Sequence, residues 1–235
     1  MESKNDKDPL LSNETPPKAI RGGIPIFFPQ FGDLGPLEQH GFARNRLWSV
    51  DSDPPPFQTQ THSKAFVDLI MKPSEEDMKI WPHSYEFRLR VALEPSRDLM
   101  LTSRIRNTNT DGKPFTFTFT FAYHTTFLFQ ISVRVEGLET LDYLDNLKNR
   151  ERCTQHGDAL TFESEEDKIY LSTLTKIAIL HHEKKRTFAI RKDGLPDAGF
   201  GIPFNFSLFY YSNTIELFMN FEWQSSLLVV INLLC

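Results

Sequence analysis

Beyond position 63 the chain alternates large apolar residues with polar ones. FTFTFTFAYH (115–124) is strict Phe/Thr alternation. Such a run suits a strand with one face in a core and the other outside it. YEFRLRVAL (85–93) sets Phe87, Leu89 and Val91 on one face and Arg88 and Arg90 on the other. KAFVDLIM (64–71), LMLTSRIRN (99–107), VRVEGL (133–138), DALTFES (158–164), KIYLST (168–173), KIAILHHE (176–183) and RTFAIRKD (186–193) continue the pattern. NTNTDGKP (107–114) carries an Asp-Gly turn signal between two of these runs. Turn signals recur about every 8–12 residues, the spacing of a large antiparallel all-β sandwich. PSEEDMKIWP (73–82) breaks the pattern: Ser74 can cap a short helix whose first turn is acidic.

Composition narrows the picture. The chain has 235 residues, 40% hydrophobic, with 21 Phe, which suits one large sandwich with broad apolar sheet faces. A net charge of −5 gives no overall attraction to nucleic acid or an anionic membrane, so anion binding falls to local arginines. Residues 1–15 are polar, charged and Pro-bearing, and are expected to be disordered. They contain no apolar leader segment, and both cysteines, Cys153 and Cys235, read as free thiols; cytoplasm is the expected compartment. SSLLVVINLLC (225–235) is shorter than the ~20 residues a membrane helix needs. It reads equally as a buried strand or as an exposed, aggregation-prone segment.

The chemistry is sparse. Two distant cysteines and scattered histidines make no metal-ligand set, so no metal site is expected. His181 and His182, read on one strand, point to opposite faces. RGGIP (21–25) lacks the Gly-Lys-Ser/Thr of a P-loop. Arg21 and Arg44 stand out in Gly-rich stretches, with Gln39 and His40 beside them, and His124 ends an apolar strand. Each arginine reads as a loop-fixing donor to backbone carbonyls or as an anion ligand. His124 reads as a structurally satisfied imidazole or as a general acid or base.

PKAIRGGIPIFFPQFG, LEQHGFARNRLWSV, FAYHT and VEGLETLDYLDNL resemble, densely and in order, the glucose-6-phosphate 1-epimerases, a branch of the galactose-mutarotase-like aldose 1-epimerases. The resemblance runs from about Pro16 to about Ala198. It implies an antiparallel β-supersandwich core over 16–198 that interconverts the α and β anomers of a hexose 6-phosphate, with no cofactor. The partner it implies is that small molecule, and the chain is expected to be a monomer. By the same resemblance His124 matches the catalytic histidine that protonates the ring oxygen. Arg21, Gln39, Arg44 and Asp167 match substrate-binding positions.

The resemblance ends near Ala198, and residues 199–235 form a divergent apolar tail. The family's catalytic base is a glutamate in a C-V-E-A-A-like stretch after a W-N-P-W segment, and neither stretch is present. Glu216 and Glu222 are the acids of the tail, and neither is assigned that role. The sandwich is therefore expected to be incomplete at both termini and less stable than longer family members. The alternative function is a sugar-phosphate binder without turnover.

Overall fold

The computed structural model describes residues 24–33, 35–56, 65–95, 98–109, 121–129, 133–162, 164–202, 213–221 and 227–234. Sixteen strands lie in these segments: β1 (Ile26–Phe27), β2 (Ser49–Val50), β3 (Ala65–Met71), β4 (Tyr85–Leu93), β5 (Leu99–Asn107), β6 (Phe121–Phe129), β7 (Val133–Glu136), β8 (Asp142–Asp145), β9 (Glu151–Thr154), β10 (Leu160–Thr161), β11 (Glu166–Tyr170), β12 (Lys176–His181), β13 (Arg186–Asp193), β14 (Ala198–Ile202), β15 (Asn213–Phe221) and β16 (Leu227–Leu234). They pair antiparallel into a seven-stranded sheet, β1-β6-β15-β14-β11-β8-β9, and a nine-stranded sheet, β10-β7-β12-β13-β16-β5-β4-β3-β2. The all-β expectation holds. No helix among the described residues is long and apolar enough to cross a membrane.

The alternation read in the sequence orients the strands. In β4, Phe87 and Leu89 are buried in the main core, while Arg88 and Arg90 lie on the other face, where Arg90 Nε donates to Asp68 at 2.5 Å and Arg88 pairs with Asp51 and Asp68. The main core takes residues from both sheets: Ile26, Tyr123, Tyr170 and Phe200 from one, Phe87, Leu101, Ile179 and Ile190 from the other. Phe28, fully buried, meets the rings of Tyr85, Phe87 and Trp81 edge-on at 5.2, 5.1 and 5.5 Å. Tyr123 Oη and Ser103 Oγ share a buried hydrogen bond of 2.7 Å that ties β6 to β5.

The expected helix is α1 (Glu75–Ile80). Ser74 caps it through a reciprocal box with Asp77, which also accepts from Arg46 Nε at 2.9 Å and Arg46 Nη2 at 2.6 Å. His181 ends β12, but His182 falls in the turn between β12 and β13 and not on the strand, because the hairpin reverses after the pair His181–Arg186. The Asp-Gly turn at 111–112 and the Phe/Thr run before Phe121 lie outside the described residues. The buried Lys192 spreads its ammonium over three carbonyls, of Thr173 (3.0 Å), Leu195 (2.5 Å) and Pro196 (3.1 Å), and so fixes the approach to β14.

The residues after 198 contribute to both sheets. β15 lies between β6 and β14 over nine residues of register with β6, and β16 lies between β13 and β5. Both are interior strands, so removing them would leave four edges with unpaired backbone groups. A chain ending at residue 202 is therefore expected to lose its cooperative thermal transition. A melt of the truncated chain that overlays the full-length curve would contradict this pairing.

Candidate functional site

Contacts fix which face of the seven-stranded sheet each residue occupies. Ile26, Tyr123, Tyr170 and Phe200 point into the main core. Their neighbours Phe27, Ala122 and Ile169 point the other way and form a second buried cluster with Phe31. His124 lies in β6, two residues after Ala122. Side chains alternate along a strand, so Asp167, two residues before Ile169 in β11, belongs to the outward face. β6 and β11 are three strand spacings apart, about 14 Å.

The loop after β1 folds over the same face. The amide of the buried Gln30 donates to the carbonyls of Gly32 and Leu37, each at 3.1 Å, and its Oε1 accepts from Leu37 N at 3.0 Å. These bonds satisfy a turn that carries no regular ladder. The loop then docks on Phe28, whose carbonyl accepts from Phe42 N and Ala43 N, each at 3.1 Å. Gly41 makes that approach possible: its φ is +66°, and a Cβ there would strike the Phe28 carbonyl.

The docked loop delivers two groups to Phe27. The His40 imidazole stacks on the Phe27 ring with centroids 3.9 Å apart. The Arg44 guanidinium lies 5.6 Å from the same ring centroid, and its Nη2 donates to the Gln39 carbonyl at 2.8 Å. Phe27 pairs with Ala122, so both groups neighbour the strand that carries His124. Gln39 is exposed and acts on Arg44 through its backbone. The Arg44 Nε is buried and has no hydrogen-bond partner among the described residues. Arg21 lies outside the described residues.

His40, noted in the sequence beside Gln39, was given no role there. Its Nδ1 accepts from Gly32 N at 3.1 Å, which leaves the ring proton on Nε2. Burial, reinforced by the Arg44 charge and partly offset by Asp33, lowers its pKa to about 4. The imidazole is thus a neutral hydrogen-bond donor at neutral pH. The signal available in the sequence was its place between Gln39 and the conformationally special Gly41. Across the sheet, the Asp167 Oδ1 accepts from Asn146 Nδ2 at 2.8 Å. Burial raises the Asp167 pKa, the Asn146 bond opposes that shift, and the nearby Asp145 and Glu165 charges add to it. Among the described residues no three His, Cys, Asp or Glu side chains cluster closely enough to hold a metal ion.

The pattern of the family described as aldose 1-epimerase matches residues 2–199. The chain belongs to the aldose 1-epimerase family. A relative from Cenchrus ciliaris named "Putative glucose-6-phosphate 1-epimerase" is 69% identical over 185 residues, which cover 78% of this chain and 56% of that one. The chain spans about half the length of the curated relatives it matches. Among solved structures, a protein from Synechocystis sp. PCC 6803 superposes with a TM-score of 0.74 at 19% identity, covering 93% of this chain and 80% of that one. A galactose mutarotase-like protein from Lactobacillus casei superposes with a TM-score of 0.69 at 14% identity, covering 90% and 85%. These two likenesses establish that the sandwich is the mutarotase-like fold.

Two outcomes follow for the loop that this epimerase-family chain folds over its outward face. Gly41→Ala forces a Cβ into left-handed backbone, a cost of about 1–2 kcal/mol before the clash with Phe28 is added. The expected loss in Tm is at least about 2–8 °C by calorimetry, and an unchanged Tm would refute the docking. The lowered His40 pKa means that the unfolded chain takes up a proton below about pH 6.5 that the folded chain refuses until about pH 4. Stability should therefore fall as pH drops through this window. In His40→Phe, which keeps the stack on Phe27, that part of the fall should vanish from the difference between the two Tm–pH curves.

Proposed function

We propose that this chain interconverts the α and β anomers of a hexose 6-phosphate by opening and reclosing the sugar ring. The observation that supports this reading is the Gln39–Arg44 loop seated on Phe27, beside the strand that contains His124, in a chain of the aldose 1-epimerase family. The name carried by the Cenchrus ciliaris relative supports the 6-phosphate as the substrate.

The chemistry follows from what these groups can do. Arg44 offers charged N–H donors, the type of group that binds phosphate oxygens in forked geometry. The Nε2–H of His40 is a neutral donor for a sugar oxygen. Asp167 accepts hydroxyl protons while Asn146 holds its Oδ1 in place. His124 is the imidazole that would give a proton to the ring oxygen and recover it. Protonation there, with the O1 proton lost to water, lets the C1–O5 bond break with its pair on O5 and gives the open aldehyde; reclosing returns a proton to O1. Rotation about C1–C2 then exposes the other face of C1 to the returning ring oxygen.

A second reading, sugar-phosphate binding without turnover, rests on the missing C-V-E-A-A-like glutamate segment. Saturation-transfer NMR on glucose 6-phosphate separates the two. Anomer exchange above the buffer rate is expected, and His124→Ala should cut it by about 10²–10⁴-fold, the usual contribution of a general acid. Exchange at the buffer rate with binding intact would favour the binder.

A further inference from the structure

We propose that Gly201 is a specificity-determining residue, leaving room for a hexose ring beside Asp167, and that Asn146 is the positioning residue that holds the Asp167 carboxylate toward it; the proposal rests on the epimerase reading above. Register sets the three residues in one row. Asp167 of β11 pairs with Gly201 of β14 on one side. On the other side Lys168 pairs with Asp145 of β8, so Asn146 comes next in line, beside Asp167. Directly paired residues share a face of the sheet. Gly201 belongs to the outward face with Asp167, since its neighbour Phe200 points into the main core.

Asn146 is held by its own turn. It opens the 3₁₀ segment Asn146–Lys148, which Asp145 caps. The Asp145 Oδ1 accepts from Leu147 N at 3.1 Å, its carbonyl accepts from Arg150 N at 2.8 Å, and its Oδ2 pairs with Lys148 Nζ at 3.1 Å. From this turn Asn146 Nδ2 donates to Asp167 Oδ1 at 2.8 Å, the carboxylate's one hydrogen bond among the described residues. A carboxylate has room for several more donors, so the half-buried Asp167 keeps acceptor capacity for a hydroxyl from outside the protein. Burial and the charges of Asp145 and Glu165 work against its ionised form, the Asn146 bond works for it, and β14 brings no charged residue. A ligand hydroxyl on the same carboxylate would add a second bond that favours the charge.

Glycine inside a strand often marks a bulge or a place where a ligand or another backbone comes close. The pairing of β14 runs without a skip on both sides, from Glu166–Ile202 to Tyr170–Ala198 with β11 and over Gly199–Gly201 with β15, so there is no bulge. The φ of Gly201 lies outside the left-handed region, and a Cβ there would meet the Glu166 carbonyl at 3.4 Å, an ordinary contact. Backbone and packing would therefore accept alanine. What a Cβ would change is the space next to Asp167, because directly opposed Cβ atoms stand about 4.5–5.5 Å apart. A hexose ring lying over Gly201 would bring a hydroxyl to the carboxylate there.

The test uses the full chain with glucose 6-phosphate and with glycerol 3-phosphate, which offers a phosphate and no ring. Binding is read from the ³¹P shift of each. Gly201→Ala is expected to weaken glucose 6-phosphate binding by about 10-fold or more, the effect of one misplaced carbon in a fitted site. Glycerol 3-phosphate should titrate as it does with the wild type, and the Tm should stay at or above the wild-type value. Asn146→Ala should weaken glucose 6-phosphate binding by about 10-fold or more. It should also raise the pH at which the Asp167 carboxyl carbon titrates by ¹³C NMR, since the lost bond favours the charged form. Asn146→Gln, which keeps an amide donor, should restore part of both. Wild-type affinity for glucose 6-phosphate in Gly201→Ala or Asn146→Ala would overturn the assignment and leave the epimerase reading standing. A lowered Tm in Gly201→Ala, or an equal loss for both phosphates, would overturn it as well. A wild-type chain that does not bind glucose 6-phosphate would refute the epimerase reading, and this assignment with it.

Discussion

One hydrogen bond orients the strand on which the site depends. Tyr123 reaches across the sandwich to Ser103, 2.7 Å away in a fully buried setting. A buried hydroxyl left without a partner would cost about 1–3 kcal/mol, so β6 is held with Tyr123 inward. Ala122 must then occupy the outward face, since strand side chains alternate. A slip of one residue in β6 would turn Tyr123 out of the core.

What covers that outward face is a loop with almost no regular structure of its own. Its backbone groups are satisfied individually, by Gln30 within the loop and by the Phe28 carbonyl beneath it. Phe27 serves as the platform, with His40 flat on its ring and Arg44 beside it. The cation gains from the aromatic face and from the Gln39 carbonyl, while the same surroundings keep His40 uncharged. The arginine that looked isolated among Phe, Pro and Gly residues is thus held by those residues: the aromatics supply its seat and Gly41 lets the loop close on β1.

Some of this was legible in the sequence. β4 and β5 follow the alternating runs residue for residue, because a half-buried strand writes its two faces into the chain. The helix cap at Ser74 was equally plain. β1, β2 and β10, two residues each, were not, since so short a segment carries no period. β14, with Gly199 and Gly201 in its five residues, reads as a loop until its neighbours are known. The site divides along the same line. Arg44, His124 and Asp167 are singled out by motif, but how the strands carrying His124 and Asp167 lie in one sheet depends on pairings among β6, β15, β14 and β11, which lie far apart in sequence. The tail was open between a buried strand and an exposed segment. β15 and β16 pair inside the two sheets, an outcome fixed by partners that no local pattern encodes.

The central claim is that one face of the seven-stranded sheet receives the sugar phosphate. Amide chemical-shift mapping during titration with glucose 6-phosphate tests it most directly. The account predicts that shifts concentrate at the 39–44 loop, Ala122, His124 and Asp167, with the opposite sheet silent. Shifts concentrated instead at Arg88, Arg90 and Arg104 on the nine-stranded sheet would contradict it.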